Sequence, residues 1–149
     1  MDWDLYIHTF LLKRVEELKS QVIKVKLKSD KQSFEKHPSV KLLKSISCLM
    51  KTEIPLNPNN KNYFLGNTLG KENSSFRRAK KGLPERYRLF FKFFSEKKSI
   101  FYLWLNDEKS LRRSGHKTDV YNIFSKLIKR KDISKSHDEL LTQSNHFNS

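Results

Sequence analysis

Two runs rich in aromatic residues, Arg86 to Phe94 and Ser99 to Asn106, constrain this chain more than any other feature. Each has the length of a strand, and the polar Ser95-Glu96-Lys97-Lys98 between them reads as a turn. Together they predict a β-hairpin. Alternation sorts its side chains onto two faces. On the first strand Tyr87, Leu89, Phe91 and Phe93 share one side, and Arg86, Arg88, Phe90 and Lys92 the other. On the second, Phe101, Leu103 and Leu105 form an apolar row opposed by Tyr102, Trp104 and Asn106. The two apolar rows are expected to face a helical layer. The opposite face would then mix guanidinium groups with a tyrosine and a tryptophan.

The helical layer is written in the preceding residues. Leu11, Val15, Leu18, Val22 and Val25 recur at spacings of four and three, one apolar stripe of a helix. Ser29 to Ser33 loses the pattern and reads as a connector. A second helix opens near Pro38, because proline suits the first helical position, and Leu43, Ile46 and Met50 give its apolar face. Two antiparallel helices over 5–54 are the economical picture. A polar, Asn-rich loop over 55–75 follows, and a sheet over 76–107 that opens with a strand from Phe76 to Lys81. Thr118-Asp119 caps a last helix over about 118–130, with Val120, Ile123, Phe124, Leu127 and Ile128 on its apolar side. From Lys131 a polar tail runs over 131–149, with only Leu140-Leu141 to dock. The expectation is a single α+β domain over 1–149.

Charge narrows the function. Lys and Arg number 31 against 16 Asp and Glu, a net charge of +15, and most of that excess lies in 71–130, among the aromatics. Such an excess points to a polyanionic partner. Cationic forks hold phosphates and aromatic planes stack bases, which is how single-stranded RNA is gripped. The acidic start Met1-Asp2-Trp3-Asp4 lacks the pattern of a signal peptide, and no apolar run approaches the roughly 18 residues of a membrane span. A cytoplasmic protein with no membrane partner is expected.

Several chemistries find no foothold. Metal-dependent nucleases cluster carboxylates or histidines, whereas Asp107-Glu108 are sequence neighbours and the five histidines are scattered. The single cysteine, Cys48, reads as a small buried thiol in the second helix. None of the four glycines belongs to a phosphate loop. RNA cleavage needs none of these, because RNA carries its own nucleophile, the 2′-hydroxyl. Arginine and lysine supply the electrostatic part, and a lysine or tyrosine can move protons. A non-catalytic RNA- or ribosome-binding protein would share this inventory.

The segment Arg86-Tyr87-Arg88-Leu89-Phe90-Phe91-Lys92 is followed by Trp104-Leu105-Asn106-Asp107-Glu108, Leu111-Arg112, Gly115-His116-Lys117-Thr118-Asp119-Val120-Tyr121 and Phe124-Ser125-Lys126. With Trp3-Asp4-Leu5-Tyr6-Ile7-His8, Asn57-Pro58 and Phe76-Arg77-Arg78-Ala79-Lys80 upstream, the chain resembles the YhaV family, toxins of type II toxin–antitoxin systems. The resemblance covers nearly the whole chain in order. It implies a RelE-like fold: two helices, a twisted antiparallel sheet and a C-terminal helix. It implies an endoribonuclease, needing no metal or other cofactor, that cuts mRNA on the translating ribosome and arrests growth. It implies a PrlF-type antitoxin with an AbrB-like region, through which the pair would bind operator DNA and repress its own operon.

Site roles follow from the resemblance. Arg88 and Lys117 fall to stabilising the phosphorane, Lys80 or Tyr121 to proton transfer, and Arg78, Arg86 and Arg112 to RNA binding. Tyr102 and Trp104 are the stacking candidates of the outer face. Asn106, Asp107 and Glu108 are expected to shape the turn after the strand. Two departures stand out: Lys81 where an aromatic residue is expected, and Lys131-Asp132-Ile133-Ser134 where Gly-x-Pro-Pro is expected.

Overall fold

Among the described residues, β1 (Asp4–His8), β2 (Arg77–Ala79), β3 (Leu89–Phe94), β4 (Ser99–Leu105) and β5 (Ser144–His146) form one sheet in the order β2-β3-β4-β1-β5. The computed structural model describes residues 2–147; Met1 and the last two residues of the expected tail lie outside the described residues. The expected hairpin is present as β3 (Leu89–Phe94) and β4 (Ser99–Leu105), with the short β2 (Arg77–Ala79) antiparallel to β3. The sheet is mixed, however, and not antiparallel throughout. β1 (Asp4–His8) lies where a helix was expected and pairs in parallel with β4, Tyr6 beside Phe101. The tail adds β5 (Ser144–His146), antiparallel to β1. Strands of three to five residues carry little pattern of their own, and their partners lie far along the chain.

Helices cover one face. α1 (Thr9–Lys28) is capped by His8, whose Nδ1 accepts the N–H of Phe10 at 3.0 Å. Asp30 caps a short α2 (Lys31–Lys36) in the expected connector. α3 (Pro38–Cys48) opens on its proline beside the second half of α1, where Ser39 Oγ donates to Gln21 Oε1 at 3.3 Å. It continues through a π-turn (Leu49–Glu53) into the last turn, α4 (Ile54–Leu56). Leu11, Val15, Leu18, Leu42, Ile46 and Met50 pack on Leu89, Phe91, Ile100, Tyr102 and Leu105. Cys48 sits on the exposed side of α3, so the expected buried thiol is corrected.

The opposite face is covered too. α5 (Val120–Lys129), capped by Asp119, lays Val120, Phe124 and Ile128 on Phe90, Phe101 and Leu103. Leu65 and Leu69 of the polar loop are buried there, as are Ile133 and Leu140 of the tail, which forms α6 (His137–Thr142) before β5. A sheet buried on both faces explains the almost unbroken apolar run of β4. No helix is long and apolar enough to cross a membrane among the described residues.

A bulge revises the expected faces. Phe90 pairs with Trp104 but Phe91 with Tyr102, so Leu103 is an extra residue and alternation changes phase there. Phe101 and Leu103 therefore face α5 together with Trp104, while Ile100, Tyr102 and Leu105 face the helical layer. Tyr102, expected on an outer RNA-binding face, is fully buried, and its hydroxyl donates to the Met50 carbonyl at 2.6 Å.

Candidate active site

Two guanidinium groups meet one phenol at the N-terminal end of α5. The Tyr121 hydroxyl accepts Arg78 Nε–H at 3.0 Å and Arg88 Nε–H at 3.2 Å. Sequence order makes the meeting possible. Arg78 of β2 pairs with Phe90 of β3, and Arg88 immediately precedes β3 on the same face. Phe90 in turn stacks on Phe124 (4.0 Å, 16°) and meets Tyr121 edge-on (5.8 Å, 86°), which seats α5 over both arginines. Each guanidinium is steadied by a second bond, Arg78 Nη1 to the Phe64 carbonyl (2.8 Å) and Arg88 Nη1 to the Tyr87 carbonyl (2.9 Å). Their Nη2 groups form no hydrogen bond among the described residues, leaving two cationic donors for a ligand.

A third arginine completes the cluster. Arg112 lies over the Tyr121 ring, 5.0 Å from its centroid, and donates to Asp119 Oδ1 at 2.8 Å. Asp119 also accepts the N–H groups of Arg113 (2.6 Å) and Tyr121 (3.2 Å). Burial opposes the charge of Asp119, but these donors outweigh it and hold the carboxyl below the usual range. One carboxylate beside three guanidiniums leaves the cluster strongly cationic.

Asn106, expected to shape the turn after the strand, does so through Ser110 and, as sequence reasoning did not foresee, also fixes Arg88. Asn106 is fully buried; its Oδ1 accepts the Arg88 N–H at 2.8 Å, and its Nδ2 donates to the carbonyls of Arg86 (3.1 Å) and Ser110 (2.9 Å). The only available signal was an amide amid the apolar residues closing β4. Asp107 shapes the turn that follows, as expected, by capping Glu108–Ser110. Arg86 sits at φ 72°, a left-handed conformation that an arginine holds only when its surroundings enforce it. The bonds from Asn106 and from the Arg112 N–H (3.1 Å) to its carbonyl do so.

The remaining candidates spread around this centre. Lys80 follows β2, and with Arg86 and Arg88 it lines an open groove of about 410 Å³. Trp104 is half-buried and stacks on Phe124 (5.9 Å, 20°). Lys117 stands exposed in the loop before Asp119, with no hydrogen bond or ion pair to the cluster among the described residues. Lys81, the first departure from the expected pattern, lines the groove and adds to its charge. No three His, Cys, Asp or Glu among the described residues are grouped to hold a metal ion.

Comparison with known proteins extends over nearly all of the chain. Residues 5–145 match the YhaV toxin family, described as a toxin with endonuclease activity, of a toxin–antitoxin system. The "Ribonuclease toxin YhaV" of Escherichia coli K12 is 36% identical over 129 residues, which cover 86% of this chain and 82% of that protein. "Toxin YhaV" of Escherichia coli O157:H7 shows the same identity and coverage. No solved structure matches.

Proposed function

The chain belongs to the YhaV family of toxin–antitoxin endonucleases, and from that premise we propose that it is a metal-independent endoribonuclease that cuts mRNA on the translating ribosome and so stops growth. The observation that carries this reading is the convergence of Arg78 and Arg88 on the Tyr121 hydroxyl. In the proposed reaction the 2′-hydroxyl of RNA attacks the adjacent phosphorus. The bond to the 5′-oxygen breaks, leaving a 2′,3′-cyclic phosphate and a free 5′-hydroxyl. The free Nη2 groups of Arg78 and Arg88 hold the phosphorane oxygens, where preorganised cationic donors are worth most. Lys117, exposed in the loop before α5, is assigned to the same charge stabilisation.

Tyr121 is the proton donor in this reading. Its oxygen already accepts two N–H bonds, so its own O–H is directed to a further acceptor, the departing 5′-oxygen. Lys80, at the groove lip, takes the opposite transfer, accepting the 2′-hydroxyl proton on its neutral amine. Arg86 and Arg112 bind the flanking phosphates. The protein partner is a PrlF-type antitoxin with an AbrB-like region, and the pair represses its own operon. These activities place the protein in the cytoplasm.

The test is to induce wild type and Arg88→Ala at matched protein levels and map new RNA 5′ ends. New ends inside translated frames with wild type alone are expected, with a loss of at least about 10²-fold in the variant. Growth arrest by both chains without new ends would replace this reading with RNA or ribosome binding without cleavage.

A further inference from the structure

The groove beside Arg88 contains groups that phosphate binding does not use. Two consecutive turns build it. Leu83 N–H bonds to the Lys80 carbonyl (3.2 Å) with Gly82 at φ 87°, and Tyr87 N–H bonds to the Pro84 carbonyl (3.2 Å) with Arg86 at φ 72°. The left-handed position at 82 suits glycine, and the one at 86 is enforced through Asn106. The groove is therefore a rigid feature, and its volume of about 410 Å³ falls within the range of small-ligand sites (roughly 300–1,000 Å³).

Its lining divides by chemistry. Leu83 and Pro84 are half-buried and give an apolar wall. Lys81 and Arg86 supply positive charge around it, and Lys80 adds its amine. Asn62 and Glu85 belong to neither set. Both are exposed, and neither side chain has a hydrogen bond or ion pair among the described residues. A carboxylate left unpaired among cations repels a phosphate, so it is out of place in a surface that only grips the backbone. It is in place opposite the N–H donors of a nucleobase. Asn62 and Lys81 also line an adjoining hollow of about 350 Å³ that reaches Asn57 and Asn60, so the groove continues away from Arg88.

We propose that this groove seats the base next to the scissile phosphate, on Leu83 and Pro84, and that Asn62 and Glu85 select which base it is. The proposal rests on the ribonuclease site above and adds its specificity. Guanine is the base expected, because its N1–H and N2–H present two parallel donors to one carboxylate, while the Asn62 amide both donates and accepts. Phosphates on either side lie against Arg88 and against Lys81.

The experiment compares wild type, Asn62→Ala, Glu85→Gln and Arg88→Ala, expressed as full chains at equal levels, by sequencing RNA 5′ ends. The readout is the ratio of ends beside guanine to ends beside the other bases. Wild type is expected to favour guanine, and each of the first two variants to lower that ratio roughly tenfold or more. An unchanged ratio in both, or no base preference in wild type, overturns the proposal while cutting that depends on Arg88 leaves the active site standing. Cutting that survives Arg88→Ala undiminished overturns the site itself, and the selection proposed beside it.

Discussion

Asn106 Oδ1 accepts the backbone N–H of Arg88 at 2.8 Å from a position with no exposure to solvent. The same amide donates to two carbonyls, so one side chain ties the end of β4 to both the groove turn and the loop toward α5. Asn106→Leu leaves the Arg88 N–H and the Ser110 carbonyl without their partner and the Arg86 carbonyl with only the Arg112 N–H. A loss of about 2–4 kcal/mol in urea denaturation is expected, with cleavage falling more steeply than folded fraction. Unaltered stability would mean that Asn106 does not hold the loop.

Tyr121→Phe keeps the ring under Arg112 and against Phe90 but removes the oxygen on which two guanidiniums converge. Thermal unfolding should shift only slightly. Single-turnover cleavage should fall by about 10²-fold or more, with RNA binding little changed. Equal losses in binding and cleavage would make Tyr121 a packing residue.

His8 makes stability depend on acidity. Burial lowers its pKa from the ordinary value, outweighing the bond to the Asp132 carbonyl that acts the other way. The unfolded chain then takes up a proton, as pH falls below about 6.5, that the folded chain refuses. Stability is therefore full above that value and declines with falling pH until the folded histidine is protonated. His8→Asn keeps a cap acceptor and cannot titrate, so its stability profile between pH 5 and 7 (about the window of an ordinary histidine) should be flatter. Parallel profiles would exclude His8 as the source.

Lys92 is a buried ammonium that donates to the Lys135 carbonyl at 2.7 Å, beside the rings of Phe76 and Phe94. Burial, then Lys135 and Arg77, push its pKa down. Lys92→Met fills the same space without the charge and is expected to raise stability by about 1 kcal/mol at neutral pH. A decrease of that size would show that its contacts repay its desolvation.

Much of the candidate site was legible because its parts are local. Arg78, Arg88 and Tyr121 each stand in a short motif, and Asp119 announces the start of α5. Their arrangement was not legible, since it depends on α5 crossing a face that alternation assigned to solvent. The phase change at Leu103 had the same effect on Tyr102: a single extra residue in one strand leaves no mark in composition. α1, α3 and α5 were found from their apolar stripes, whereas the short α2 and α6 were not, and β1 and β5 were missed because long-range pairing, not local preference, makes them strands.

The parallel pairing of β1 with β4 sets a timetable for synthesis. Residues 4–8 leave the ribosome before the other strands yet find their partner only when residues 99–105 have followed. At roughly 5–20 residues per second that is a wait of several seconds or more. Tyr121 emerges later still, and β5, which closes the edge beside β1, comes last. A nascent chain of this topology therefore lacks the converged arginine–tyrosine cluster until α5 has been made, and until β5 follows, its strand β1 lies open to another chain.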